Sequence, residues 1–204
     1  MSAETCPGGH RFCRDCLGQS TADLVVKVCM VTKLKDPFAL LDRIFCHPAF
    51  QKRGPHHHSL IVPVGLAVLG NLGIIAKNQE AMRTGITRAE VFPAGSCQDF
   101  GICGASAGAG ILVALIQETL SNRVFEPGLA LEATAHTMNH LAALKDLKCC
   151  RQAVFATIGS VFSFLRVRLG FELPAFSQIC MFSPKNPGCR GALCPYFAGS
   201  LPAK

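Results

Sequence analysis

Tryptophan is absent from this 204-residue chain and tyrosine occurs once, so it offers little aromatic surface for stacking on bases. Charge is scarce as well, at 16% of residues against 50% apolar, which leaves a greasy surface and favours association. The formal balance of +7 is scattered over Lys33, Lys35, Lys52, Arg53, Arg83, Arg88, Arg166, Arg168 and others. With no basic block, no nucleic acid partner is expected. Long hydrophobic runs are also lacking. Three apolar stretches carry no charge, of 17 residues (60–76), 18 (100–117) and 13 (153–165), where a spanning helix needs about 20 and at least about 17. A small membrane bundle with spans near 60–76 and 100–117 is therefore the alternative reading, with Gly104 and Gly108 as its helix-pairing face.

A secretory signal is missing too: the opening MSAETCPGGHRFCRDC has no continuous apolar core and no small-residue cleavage pattern. The twelve cysteines are accordingly read as thiols in a reducing compartment, cytoplasmic or nuclear, rather than as a disulfide scaffold. Cys29, Cys149 and Cys150 lie in apolar helical runs, where a thiol behaves as a small hydrophobe.

What is present is helical grammar. The chain divides into a Cys-rich leader (1–21), a helical region (22–169) and an irregular Pro/Gly/Cys tail (170–204). Residues 24–50 read as one or two helices broken at Asp36-Pro37, since proline is tolerated at a first helical position. GPHHHS at 54–59 reads as a solvated loop, and 86–109, crowded with glycine, alanine and cysteine, as a long one. Two segments share a pattern. Pro63 to Gly85 and Gly110 to Gly159 each carry an apolar-x-x-leucine step (Leu69 to Leu72, Met138 to Leu141), a polar break and a second run closing on glycine. Leu131, Ala135, Met138, Leu141 and Ala142 fall on one stripe, expected to pack on Leu112, Leu115 and Ile116 with Ala135 at closest approach.

On those residues both segments resemble armadillo repeats. Gly110, Ile111, Leu112, Val113, Leu115 and Ile116 match the opening of such a unit, while Ala135, Met138, Leu141 and Ala142 match its core helix; a further unit would start at Gly159. The resemblance implies an all-α, short armadillo-like solenoid that binds a protein partner without catalysis. In that family an asparagine on the concave face holds an extended peptide. Asn71 fills the slot in the first unit; in the second His140 fills it, with Asn139 one position away, making Asn71, Asn139 and His140 the candidate binding residues. About three stacked units are needed for stability, so two units with irregular ends are expected either to be covered by those ends or to belong to a truncated form.

One motif has sharp chemical content. Cys6, His10, Cys13 and Cys16 have zinc-ligand types and spacing, and GGHRFCRDCL is similar to half of a RING finger, so a zinc-binding, ubiquitin-ligase-like fragment is a further alternative. The partner pairs of a RING do not follow; Cys189 and Cys194 lie far away with a four-residue gap. Zinc at the leader is the one cofactor considered, and no small-molecule substrate is expected. Cys46 beside His47 lacks the geometry of a nucleophile with its base, and Gly101, Gly104 and Gly108 lack the Lys-Ser/Thr of a phosphate loop.

Overall fold

Proline fixes where the second helix begins. Pro37 takes the first helical position and Asp36 caps it, its carboxylate accepting the Phe38 N–H at 2.8 Å and the Ala39 N–H at 3.3 Å. The computed structural model describes residues 19–50, 54–120, 124–144, 149–181 and 189–199. Within them the chain is all-helical: α1 (Thr21–Val31), α2 (Pro37–Phe45), α3 (Ile61–Asn71), α4 (Gln79–Glu90), the single turn α5 (Ser96–Asp99), α6 (Gly104–Thr119), α7 (Pro127–Ala143) and α8 (Cys150–Leu169). Short 3-10 turns lie at Pro48–Phe50, Pro55–Leu60 and Gly191–Leu193. Among the described residues the only strand-like pairing is an isolated bridge between Cys180 and Phe197.

Two helices fill the centre. Every residue from Ile61 to Leu69 in α3 and from Arg151 to Ile158 in α8 is buried; a helix apolar on all sides is a core helix. The first candidate span is therefore a core helix of 11 residues and the second a helix of 16. Among the described residues no helix is long and apolar enough to cross a membrane. Helix α2 reaches α8 through Phe38 and Phe45, whose rings lie 5.4 and 6.2 Å from that of Phe155.

Small residues set how closely the helices approach. A Cβ on Gly65 would lie 2.5 Å from Leu112, and one on Gly108 would lie 3.3 Å from the His58 carbonyl oxygen. This corrects the loop expected at 86–109: α4 continues to Glu90, and α6 starts at Gly104 because its buried Gly104, Ala105, Ser106, Gly108 and Ala109 let it lie against its neighbours. Glycine here serves close packing instead of chain reversal.

The same physics turns α7. Its buried line is Ala133, Thr137 and Leu141, while Leu131 is 72% exposed and Ala135 and Ala142 are also exposed. Closest approach falls at Gly110, where a Cβ would lie 2.9 Å from the Ala130 carbonyl oxygen, and not at Ala135. Thr137 is accepted in the core because its hydroxyl donates to the Ala133 and Thr134 carbonyls, both at 3.0 Å. No unit boundary appears at Gly159 either. Helix α8 runs through it, and a Cβ there would lie 2.9 Å from the Gln178 side chain, so this glycine is a crossing point for the tail.

Gly170, at φ 69°, ends α8 in the left-handed region. The chain then turns back over the helix: Arg166 donates to the Leu173 and Pro174 carbonyls at 3.2 and 3.1 Å, and Phe176 meets Phe162 edge-on at 5.5 Å. The prolines bar a helix but not a cover.

The histidine run is buried rather than solvated, because the turn at Pro55–Leu60 leads straight into α3 and packs against α4, α6 and α8. The His57 ring stacks on Phe45 at 5.7 Å, and its two nitrogens each lie 3.2 Å from a carbonyl oxygen, of Gly54 and of Phe50. Arg151 also donates to the Phe50 carbonyl, at 2.6 Å. Burial, with His56 and Arg151 nearby, pushes the His57 pKa down to about 3, so the ring is neutral.

Candidate functional site

The three residues read as a peptide groove take different partners. Asn71, the last residue of α3, donates through Nδ2 to the Leu34 carbonyl at 2.7 Å, tying that helix end to the α1–α2 link. Asn139 is exposed on α7. His140, one step round the same helix, has Nε2 3.4 Å from the Tyr196 hydroxyl of the tail. Next to Asn71 the sequence reading passed over Lys77, whose Nζ donates to the carbonyls of Cys29, Met30 and Thr32 at 3.2, 3.2 and 2.7 Å. A cation on those carbonyls closes the C-terminal end of α1, where the helix dipole is negative. The zinc candidates Cys6, His10, Cys13 and Cys16 lie outside the described residues.

A second constellation forms where the tail meets the start of α8. Cys149 is the N-cap of α8, and Arg151, Gln152 and Phe155 follow along its first turns. Opposite stand Cys180, Cys189, Arg190, Cys194, Tyr196 and Phe197, and together these residues enclose a pocket of about 30 Å³. The tail is folded to bring its thiols there. The Cys180 N–H donates to the Tyr196 carbonyl at 2.7 Å, and the Tyr196 ring sits 6.0 Å from Phe155. Between them Gly191, at φ 55°, opens the turn in which the Cys194 N–H reaches the Gly191 carbonyl at 2.9 Å.

Electrostatics couple these thiols. Burial pushes the Cys194 thiol up, the Tyr196 N–H pulls it back down, and the neighbouring Cys189 and Cys149 raise it again. Burial also pushes the Tyr196 phenol up to about 12, so it stays protonated and can donate. Among the described residues no three His, Cys, Asp or Glu side chains are drawn together closely enough to hold a metal ion as the chain stands. The sequence alone hides this pocket, since Cys149 sits in an apolar helical run as a core hydrophobe would and Cys189 and Cys194 lie some 40 positions further on. The available signal was three cysteines, at 180, 189 and 194, within a segment too rich in proline to be helix.

No curated protein and no solved structure matches the chain. The profile of a family of unknown function, DUF5714, matches residues 25–197, from α1 to the end of the thiol pocket. With that match over most of its length, the chain belongs to the DUF5714 family.

Proposed function

We propose that this protein is a non-catalytic helical binding module that works in a reducing compartment, cytoplasmic or nuclear, and holds a protein partner on the outward face of α7. The observation that carries the reading is that face itself. Leu131, Ala135, Asn139 and Ala142 recur at i, i+4, i+8 and i+11 and all are exposed, giving an apolar stripe with one amide where a solvated helix would carry charge. An amide among small apolar residues suits an extended peptide, whose backbone it can hold by both donor and acceptor. Helix α7 packs against α6 before it and α8 after it, which supports treating these three as one armadillo-like unit. The free thiols of Cys29, Cys97 and Cys103 fit a reducing environment.

Selection of a random peptide library on the folded protein tests this. Enriched peptides should lose binding to Leu131→Glu and weaken on Asn139→Ala, while Val31→Glu, an equally exposed site on α1, leaves them bound. Failure to enrich any peptide, or binding indifferent to Leu131→Glu, would sink the reading.

A further inference from the structure

We propose that Cys149, Cys180, Cys189 and Cys194 are the four ligands of one thiolate-bound metal centre that fastens the tail to the start of α8. The inference is independent of the α7 face. Its first support is convergence: the helix cap, the 180–197 bridge and the Gly191 turn bring four cysteines to the lining of one small pocket, where the thiols of Cys189 and Cys149 act on that of Cys194. Burial of apolar side chains alone would not require cysteine at all four places.

The second support is how the backbone treats two of the sulfurs. The Gly191 N–H points at the Cys189 sulfur at 3.5 Å, and the backbone N–H of Tyr196 pulls the Cys194 thiol down against the upward push of burial. In each case a backbone N–H two residues onward is turned toward the sulfur. Such bonds gain strength when the sulfur is anionic, as it is in a metal complex.

Charge gives the third. Four thiolates around a divalent ion carry a net charge of −2, which needs compensation in a low-dielectric pocket. Arg151 and Arg190 line this one and supply it. Binding is then a simple exchange in which each thiol releases its proton to solvent as its sulfur bonds the metal, with no change of oxidation state for zinc. On binding, the sulfurs would close in to about 2.3 Å from the ion. An all-sulfur tetrahedral set suits zinc or an iron–sulfur centre. A pocket of about 30 Å³ has room for a single ion, whereas a cluster requires it to open.

The test uses the full chain, purified anaerobically without chelators, with zinc, iron and acid-labile sulfide measured per chain. We expect one equivalent of zinc, or iron with matching sulfide and visible absorption, that disappears in Cys189→Ser/Cys194→Ser. It should persist in Cys6→Ser/Cys13→Ser, which separates it from any metal on the leader, and in Cys29→Ser, a buried thiol elsewhere. Should the double variant fail to fold, alkylation of the unaltered protein with mass mapping decides the matter. Cys149, Cys180, Cys189 and Cys194 should be protected in the purified protein and labelled after chelation. Metal content unchanged by Cys189→Ser/Cys194→Ser, absence of metal from the purified chain, or labelling of these four regardless of chelator would each overturn the proposal.

Discussion

Helices α7 and α8 adjoin in sequence and pack side by side, yet one is a surface element and the other the axis of the fold. Helix α8 is covered by α2 through Phe38 and Phe45, by α7, and by the returning tail through Phe176 and Tyr196. Helix α7 buries only Ala133, Thr137 and Leu141. Apolar content does not separate them, since α7 carries Leu129, Leu131, Met138 and Leu141. What separates them is coverage. Segments distant in sequence close over α8, whereas among the described residues nothing lies on the Leu131 side of α7. Burial is thus a property of what returns to a helix, and a local pattern cannot see it.

The largest effect should come from the centre. Phe155 meets Phe38, Phe45 and Tyr196, so Phe155→Ala removes the side chain on which α2 and the tail converge. Denaturant unfolding should show a loss of about 3–5 kcal/mol. A loss under about 1 kcal/mol would mean that α2 and the tail do not close over α8 in solution. Leu141→Asp comes next, at about 2–3 kcal/mol, the burial term of one leucine with a carboxylate left at its place. The figure is held below the central one because Leu141 borders an open concavity of about 400 Å³ shared with Cys97, Cys103 and Met138, through which water reaches the carboxylate.

Much of the helical content was legible in the sequence. The Asp36-Pro37 start follows from capping chemistry and proline, both local. Helix existence over 110–116 and 131–142 follows from periodicity. Which face of α7 is buried did not follow, because Gly110 against Ala130 sets it, a contact between two helices decided by the absence of a side chain. The histidine run misled for a related reason. Its burial depends on Phe45, Phe50 and Arg151, the last 94 positions from His57 in the chain, and only the fold brings that side chain near the ring. For the candidate sites, Asn71 was visible but its partner Leu34 was not, and the thiol pocket was hidden by the distance between Cys149 and Cys194.

Two titrating groups sharpen the central side of the comparison by acting in opposite directions. His57 has its pKa depressed to about 3 in the folded protein, while the unfolded ring titrates near about 6.5. As pH falls from about 6.5 the unfolded chain takes up a proton that the folded one refuses, and stability is lost. Asp42, on α2, has its pKa raised to about 6 by burial against an unfolded value near about 3.9. There the folded chain takes up the proton first, so stability is gained between about pH 6 and pH 4. The two slopes offset each other in that window. Asp42→Asn keeps an acceptor for the Met181 N–H and removes the gain. Its stability should fall with acid more steeply than that of the unaltered protein, by up to about 1.4 kcal/mol per pH unit for one full proton. Equal slopes from urea unfolding at pH 6, 5 and 4 would show that Asp42 keeps an ordinary carboxylate pKa in the folded protein.

The smallest effect belongs to the outer face of α7, and it divides the two readings of that helix most sharply. Ala133 and Ala135 are two positions apart, equally suited to a helix, and differ in what surrounds them: Ala133 is wholly buried and Ala135 is exposed. Ala133→Leu forces three extra carbons into the packed core and should cost about 1–3 kcal/mol. Ala135→Leu meets solvent and should change stability by less than about 0.5 kcal/mol, as should His136→Ala, whose ring only leans on Phe164 at 5.7 Å. The repeat-like period of the sequence predicts the reverse order, with Ala135 at closest approach. Melting of the two alanine variants side by side therefore decides which face α7 turns inward. If Ala135→Leu is the damaging one, the outward stripe is not a surface, and the binding reading that rests on Leu131, Asn139 and Ala142 falls with it.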